Sequence, residues 1–519
     1  MTGPPRVLCG LTMAIAAVLV SAVLHASALA EAAVPPPADD ALRTAYEAYY
    51  RGDKAGADAA FREIVTRRPD DLGSAFGRLV VAYSRVGPFS AVSPAFEQSV
   101  NAFIGRAAER YDHNHADEDA LFHLAFSYTL RSAYRFEHQT GMIGAARDGG
   151  RARGYIDTYL TAHPDNGDAH LVRGMYNYFV DLAPAFIHLF RFLLFLPAGT
   201  RTGGLMDIEY AAAHGALFGR MAQLQLVPIY GALEGRPAEA IALGERLERA
   251  LPANDEAAFA LAEVYISPAV EARDLAGRVY QEVIDRHRAD DTRDGVTARA
   301  RALYGLASAR FDAWRCDEAL GILSETIDAP GAAPDWVLPR FLLRRAGYRL
   351  LLNDRHAGED AQRVLGDPAM ARWHDDARDL LKRVAEYQSK GDPSLYAALV
   401  PANRLVVEGR YAEARERYEA IAQGRMTDPQ VRYRLAYLDF AEGLDPQARP
   451  TFEALATMRS APDWVRASSW LYVGRLDDLS GQRAAAVRAY RKVVDDYGDE
   501  RASLAAQVGV ITPYQRPPR

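Results

Sequence analysis

The chain has 519 residues, 49% of them hydrophobic, with a formal charge of −7 and two cysteines. Lysine occurs only at Lys54, Lys382, Lys390 and Lys492, so nearly all positive charge is arginine interleaved with acids; that is a solvated helical surface and excludes a nucleic-acid footprint. Cys9 lies at the extreme N-terminus and Cys316 stands alone in the remainder, which excludes a small disulfide-stapled fold and leaves stability to packing.

Residues 1–30 read as an export signal. Arg6 supplies the charged start, Leu11 to Val23 is apolar, and Ala28-Leu29-Ala30 offers small residues for cleavage ahead of Glu31. The apolar run is shorter than the about 20 residues a membrane span requires. The expected location is therefore the periplasm or the extracellular space, after cleavage near Ala30. Residues 31–40, with Val34-Pro35-Pro36-Pro37, form a Pro/Ala linker.

From residue 41 the apolar pattern has helical period, broken by turns. Three helix ends repeat one design: Ala57, Phe61 and Pro69; Ala152, Ile156 and Pro164; Ala240, Gly244 and Pro252. In each, the proline follows the first residue by 12 positions and the second by 8. The first position lets paired helices approach, the second packs between neighbouring hairpins, and the proline stops the helix because it has no N–H to donate. Near the C-terminus the copies are clearest. Ala414 and Tyr418 are followed by Ala448 and Phe452 after 34 residues, then by Ala486 and Tyr490 after a further 38. The extra length falls around Ala461-Pro462-Asp463-Trp464-Val465, whose twin is Ala333-Pro334-Asp335-Trp336-Val337.

This pattern resembles the tetratricopeptide repeat, a helix-turn-helix unit of about 34 residues, here of an exported bacterial type. The resemblance implies an all-α fold: an α-solenoid of stacked hairpins whose concave face holds a peptide or partner protein, with no catalytic residues. The expected divisions are N-terminal repeats over 41–200, degenerate repeats over 201–390, C-terminal repeats over 391–510 and an unstructured tail over 511–519.

The first half carries an irregular apolar insert. Within the aromatic segment 176–197, a helix over 185–196 has only His188 and Arg191 as polar residues, on one stripe with Asp181. A helix so apolar is expected to be covered on most sides. The loop Pro197 to Gly204 follows it and is expected to open a helix at Leu205. Tyr178, Asp181, His188, Arg191 and Arg201 are the candidate binding residues because they lie where the repeat pattern fails. His113-Asn114-His115 with Asp117, Glu118 and Asp119 is a loose metal-like cluster, but the acids directly precede an apolar run and read as a helix cap. Cys316 reads as a packed small residue.

No nucleophile elbow, framed carboxylate pair or dinucleotide glycine fingerprint is found, so a catalytic role, a cofactor and a metal are not expected. The expected function is a non-catalytic exported scaffold for a protein or peptide, without nucleic acid. The alternative is a binding protein for an apolar small molecule or lipid through 176–197, with peripheral membrane contact; an enzyme ranks third.

Overall fold

The computed structural model describes residues 40–86, 92–138, 140–181, 197–329, 336–390, 394–425, 427–498 and 500–516. Those residues form helices and turns, with no strand among them. The chain is an all-α array of tetratricopeptide-like hairpins, in which most helices pack on their neighbours in chain order. Contacts divide the described residues into two compact units that part between Val264 and Tyr265. The signal, the linker and the segment 185–196 lie outside the described residues.

In the N-terminal unit, Asp40–Tyr50 pairs with Lys54–Arg67, Leu72–Arg85 with Pro94–His113, Glu118–Glu137 with Met142–Ala162, and Gly219–Ala232 with Pro237–Ala250. Gly167–Asp181 pairs with Arg201–His214, so the apolar insert interrupts a hairpin at its turn. The partner helix begins at Arg201, not at Leu205, and Thr200 caps it by accepting from the Gly203 N–H. Gly203-Gly204 is thus helical. A Cβ on Gly204 would lie 2.5 Å from the Tyr178 backbone nitrogen, so this glycine serves a close helix crossing and not a flexible turn.

In the C-terminal unit, Arg293–Asp312 pairs with Cys316–Asp328, Ser394–Val407 with Tyr411–Ala422, Pro429–Glu442 with Asp445–Thr457, and Asp463–Leu479 with Arg483–Asp496; Arg501–Ile511 closes the series. Three of these helices, those before Gly409, Gly443 and Gly481, end in one recurring way. The residue after the last turn is a glycine at positive φ, as at Gly409 (+74°), Gly443 (+80°) and Gly481 (+75°). The next N–H then reaches back to close the helix: Arg410 donates to the Leu405 carbonyl and Gln482 to that of Asp477, both at 2.8 Å.

The spaced anchors are the core. Ala57, Phe61, Ala152, Ile156, Ala414, Tyr418, Ala448, Phe452, Ala486 and Tyr490 are all buried. The aromatic anchors rest on glycines of the adjoining helices: a Cβ on Gly77 would meet the Phe61 ring at 2.3 Å, and one on Gly474 the Tyr490 ring at 2.5 Å. Burying such a ring contributes about 1.5–3 kcal/mol.

Candidate functional site

The sequence candidates meet in part. Tyr178 is buried, and its hydroxyl donates to Glu234 Oε1 at 2.7 Å. Arg201 donates through Nε to the same oxygen at 2.5 Å, and its backbone N–H donates to Asp181 at 2.8 Å. Burial pushes the Glu234 carboxyl up, against the two donors that favour its charged form. Tyr178, Asp181 and Arg201 therefore close a polar knot around Glu234, a residue the sequence reading missed, and the Arg201 guanidinium is spent on it and on the Leu233 carbonyl. His188 and Arg191 lie outside the described residues. At the His113 cluster, Asp117 caps Glu118–Glu137 by accepting from the Ala120 N–H at 2.9 Å and pairs with Arg110 at 2.9 Å, so the acids act as the helix cap. No group of His, Cys, Asp and Glu suited to a metal occurs among the described residues. Cys316 is buried, and burial pushes its thiol up to about 12, which keeps it protonated.

One aromatic ring ties three hairpins of the N-terminal unit together. Phe218, 2% exposed, enters between Tyr46, Phe76 and Phe126, with ring separations of 5.2, 6.1 and 4.4 Å. The buried Asp168 carboxylate holds the loop by accepting from the N–H groups of Phe218 (2.8 Å) and Leu217 (3.0 Å), and the Tyr50 hydroxyl donates to the Leu217 carbonyl at 2.9 Å. Three helices from three successive hairpins thus spend their facing aromatic rings on an internal plug.

The C-terminal unit is arranged differently. It curls so far that Asp312, at the end of one helix, pairs with Arg501, at the start of the last, at 2.9 Å across 189 residues of chain. Arg501 keeps 59% of its side chain accessible, so this clasp lies at the surface of the unit. Arg434 and Arg475 lie on the helices Pro429–Glu442 and Asp463–Leu479. The Arg434 guanidinium lies 5.1 Å from the Trp314 ring, 5.5 Å from Tyr433 and 5.6 Å from Trp464. Arg475 lies 4.9 Å from the Tyr472 ring and 4.8 Å from Tyr514. Neither arginine forms an ion pair among the described residues. A guanidinium stacked on rings keeps its N–H edge for an acceptor, and stacking leaves little rotamer freedom to lose on binding.

Residues Tyr514 and Arg516, near the end of the described chain, pack beside Arg475 and Phe440. The Tyr514 N–H donates to Asp478 Oδ2 at 2.8 Å, and Arg516 donates to Asp445 at 2.5 Å while stacking on Phe440 at 4.6 Å. Proline content rules out a helix there, but an extended strand of chain can still satisfy its backbone on side chains.

The Asp312 clasp has a pH signature. Burial alone would raise its carboxyl, but Arg501, Arg273 and Arg344 outweigh that and hold it below the ordinary carboxylate value. A depressed folded pKa contributes stability that is present above the unfolded value and is lost as pH falls through the folded one. The unfolding midpoint of the C-terminal unit should therefore drop as pH falls below about 4. In Asp312→Asn the part of that drop due to this group should be absent, which urea titrations at several pH values would read out.

No family model matches the chain, and no curated protein matches it. Among solved structures it is similar to a tetratricopeptide repeat protein from Parabacteroides merdae ATCC 43184, at 16% identity over 53% of this chain and 93% of that one, with a TM-score of 0.21. It is similar to the human IFIT1 dimer with m7Gppp-AAAA at 12% identity over 80% and 89%, TM-score 0.36. It is also similar to the APC/C hetero-tetramer Cut9-Hcn1 at 12% identity over 92% and 94%, TM-score 0.30. Scores this low add no weight to the fold, which rests on the helices and anchors themselves, and none to the choice of ligand. No described helix is long and apolar enough to cross a membrane.

Proposed function

We propose that this protein is an exported, non-catalytic helical-repeat scaffold that holds a peptide segment of a partner protein on the face of its C-terminal unit that carries Arg434 and Arg475. The observation that carries the reading is the pair of guanidiniums, Arg434 and Arg475, each stacked on two or more aromatic rings and in no ion pair among the described residues, beside Trp314, Tyr433 and Tyr472. A guanidinium held flat on rings is pre-organised to donate from its edge to the carbonyls or side chains of a bound peptide. The N-terminal unit is a poorer host, because Phe218 already fills the corresponding face. The support for export is the sequence of residues 1–30, and the support for a non-catalytic role is the repeat architecture, a class of fold built to present surface.

A display library of random peptides selected on the purified protein tests this. Enriched peptides should lose at least tenfold in affinity on the double variant Arg434→Gln, Arg475→Gln, compared at a temperature below the unfolding midpoints of both proteins, since loss of the ring stacking lowers the midpoint of the variant. Failure to enrich any peptide, or peptides indifferent to both substitutions, would contradict the reading.

A further inference from the structure

One edge of the N-terminal unit gathers apolar side chains in water. Among the described residues of this unit the exposed large hydrophobics are Phe136, Met142, Ile143 and Met206, and the first three, exposed by 38, 42 and 56%, fall within eight residues of chain. They sit where two adjoining helices end and begin: Ser132 Oγ donates to the Ala145 carbonyl at 2.8 Å, so the last turn of Glu118–Glu137 lies beside the first turn of Met142–Ala162. A single apolar side chain in water needs no explanation, whereas a group of them marks a contact.

The same edge is where the chain leaves the repeats and returns to them. Met142–Ala162 and Gly167–Asp181 are neighbours running in opposite directions, and a Cβ on Gly149 would meet the Tyr176 ring at 3.4 Å, so Met142 and Asp181 reach the same end. The return is pinned beside the exit: the Tyr176 hydroxyl donates to the Pro197 carbonyl at 2.9 Å, and the Arg201 N–H donates to Asp181 at 2.8 Å. The 15 residues between Asp181 and Pro197 include four phenylalanines and five leucines, and they are fewer than the about 20 that a membrane span requires.

The charge of the edge is opposite to that of the whole protein. Over residues 131–151, Arg131, Arg135, Arg147 and Arg151 are offset only by Glu137 and Asp148, in a chain of formal charge −7. Asp148 is spent on Arg131 and Arg135, and Arg147 is exposed one helical turn behind Ile143. Apolar side chains at a tip with a guanidinium one turn behind them fit a bilayer surface, whose acyl boundary takes the first and whose anionic phosphates take the second. A second copy of the chain fits less well, since a two-fold contact would set these arginines against one another.

We propose that this edge docks on the surface of an anionic phospholipid bilayer, with Phe136, Met142 and Ile143 entering the boundary between headgroups and acyl chains and Arg147 at the phosphates. The inference stands independently of peptide binding by the C-terminal unit.

Cosedimentation of the purified mature protein with vesicles tests it. The protein should pellet with phosphatidylcholine vesicles that contain phosphatidylglycerol and bind pure phosphatidylcholine several-fold more weakly. The triple variant Phe136→Gln, Met142→Gln, Ile143→Gln should partition roughly tenfold less, and Arg147→Gln should reduce the preference for phosphatidylglycerol. A second variant keeps the test decisive if the triple variant misfolds: all five tryptophans lie in the C-terminal unit, so Ile143→Trp, at an exposed position, places a single indole at this edge. Brominated lipid should quench Ile143→Trp beyond the wild-type protein. No binding of the wild-type protein to either vesicle, a folded triple variant that pellets like wild type, or no added quenching in Ile143→Trp would overturn the proposal. A dimer that ignores vesicles and is lost in the triple variant would assign the edge to a second copy and overturn it as well.

Discussion

Phe218→Ala is expected to destabilise the N-terminal unit by about 3–5 kcal/mol, the range for removing a buried ring that leaves a cavity. The ring is 2% exposed and meets Tyr46, Phe76 and Phe126, which come from three hairpins and are themselves buried. Collapse onto the space left behind would require those hairpins to move together, and each is already fixed by its own anchors, such as Phe61 against Gly77. The cost should therefore fall near the top of the range. Urea unfolding followed by tyrosine fluorescence would measure it, and a loss under about 1 kcal/mol would mean that the plug packs only loosely.

Asp168→Ala is the second large effect. Its carboxylate is the acceptor for the buried Phe218 N–H and the half-buried Leu217 N–H, and a buried donor stranded without a partner costs about 1–3 kcal/mol. A total loss of about 3 kcal/mol or more is expected, with Asp168→Asn intermediate because the amide keeps one acceptor oxygen. The pH behaviour is opposite to that of Asp312. Burial raises the Asp168 carboxyl above its ordinary value, with the backbone donors opposing. A raised folded pKa gives stability that is full below the unfolded value and declines as pH rises through the folded one. That decline should disappear in Asp168→Asn. If Asp168→Ala unfolds like wild type, then the loop is not held by this residue.

The anchors were legible because packing imposes the period. Ala57 and Phe61, or Ala486 and Tyr490, must recur at fixed offsets for one hairpin to bury its face on the next, and that offset survives in the sequence even where residue types vary. The plug was not legible, since Phe218 meets Tyr46 and Phe76 across more than a hundred residues of chain and no local pattern marks it. Gly203-Gly204 misled for a related reason: glycine signals a turn locally, but here the missing Cβ admits a neighbouring helix. Searching where the repeat pattern fails found Tyr178, Asp181 and Arg201, which are tied to Glu234, and overlooked Arg434 and Arg475, which sit within the best-formed repeats. Their signal was the company they keep, arginine one residue after Tyr433 and three after Tyr472, on faces that the anchors do not use.

Two faces built from the same kind of hairpin thus differ, one filled by Phe218 and one carrying Arg434 and Arg475 stacked on aromatic rings. Hydroxyl-radical footprinting of the intact protein, with and without a selected peptide, addresses that contrast directly. The peptide should protect Trp314, Tyr396 and Tyr437 and leave Phe76, Phe126 and Phe218 unchanged. Protection confined to the N-terminal unit, with the Trp314 signal unaltered, would contradict the assignment of the binding face.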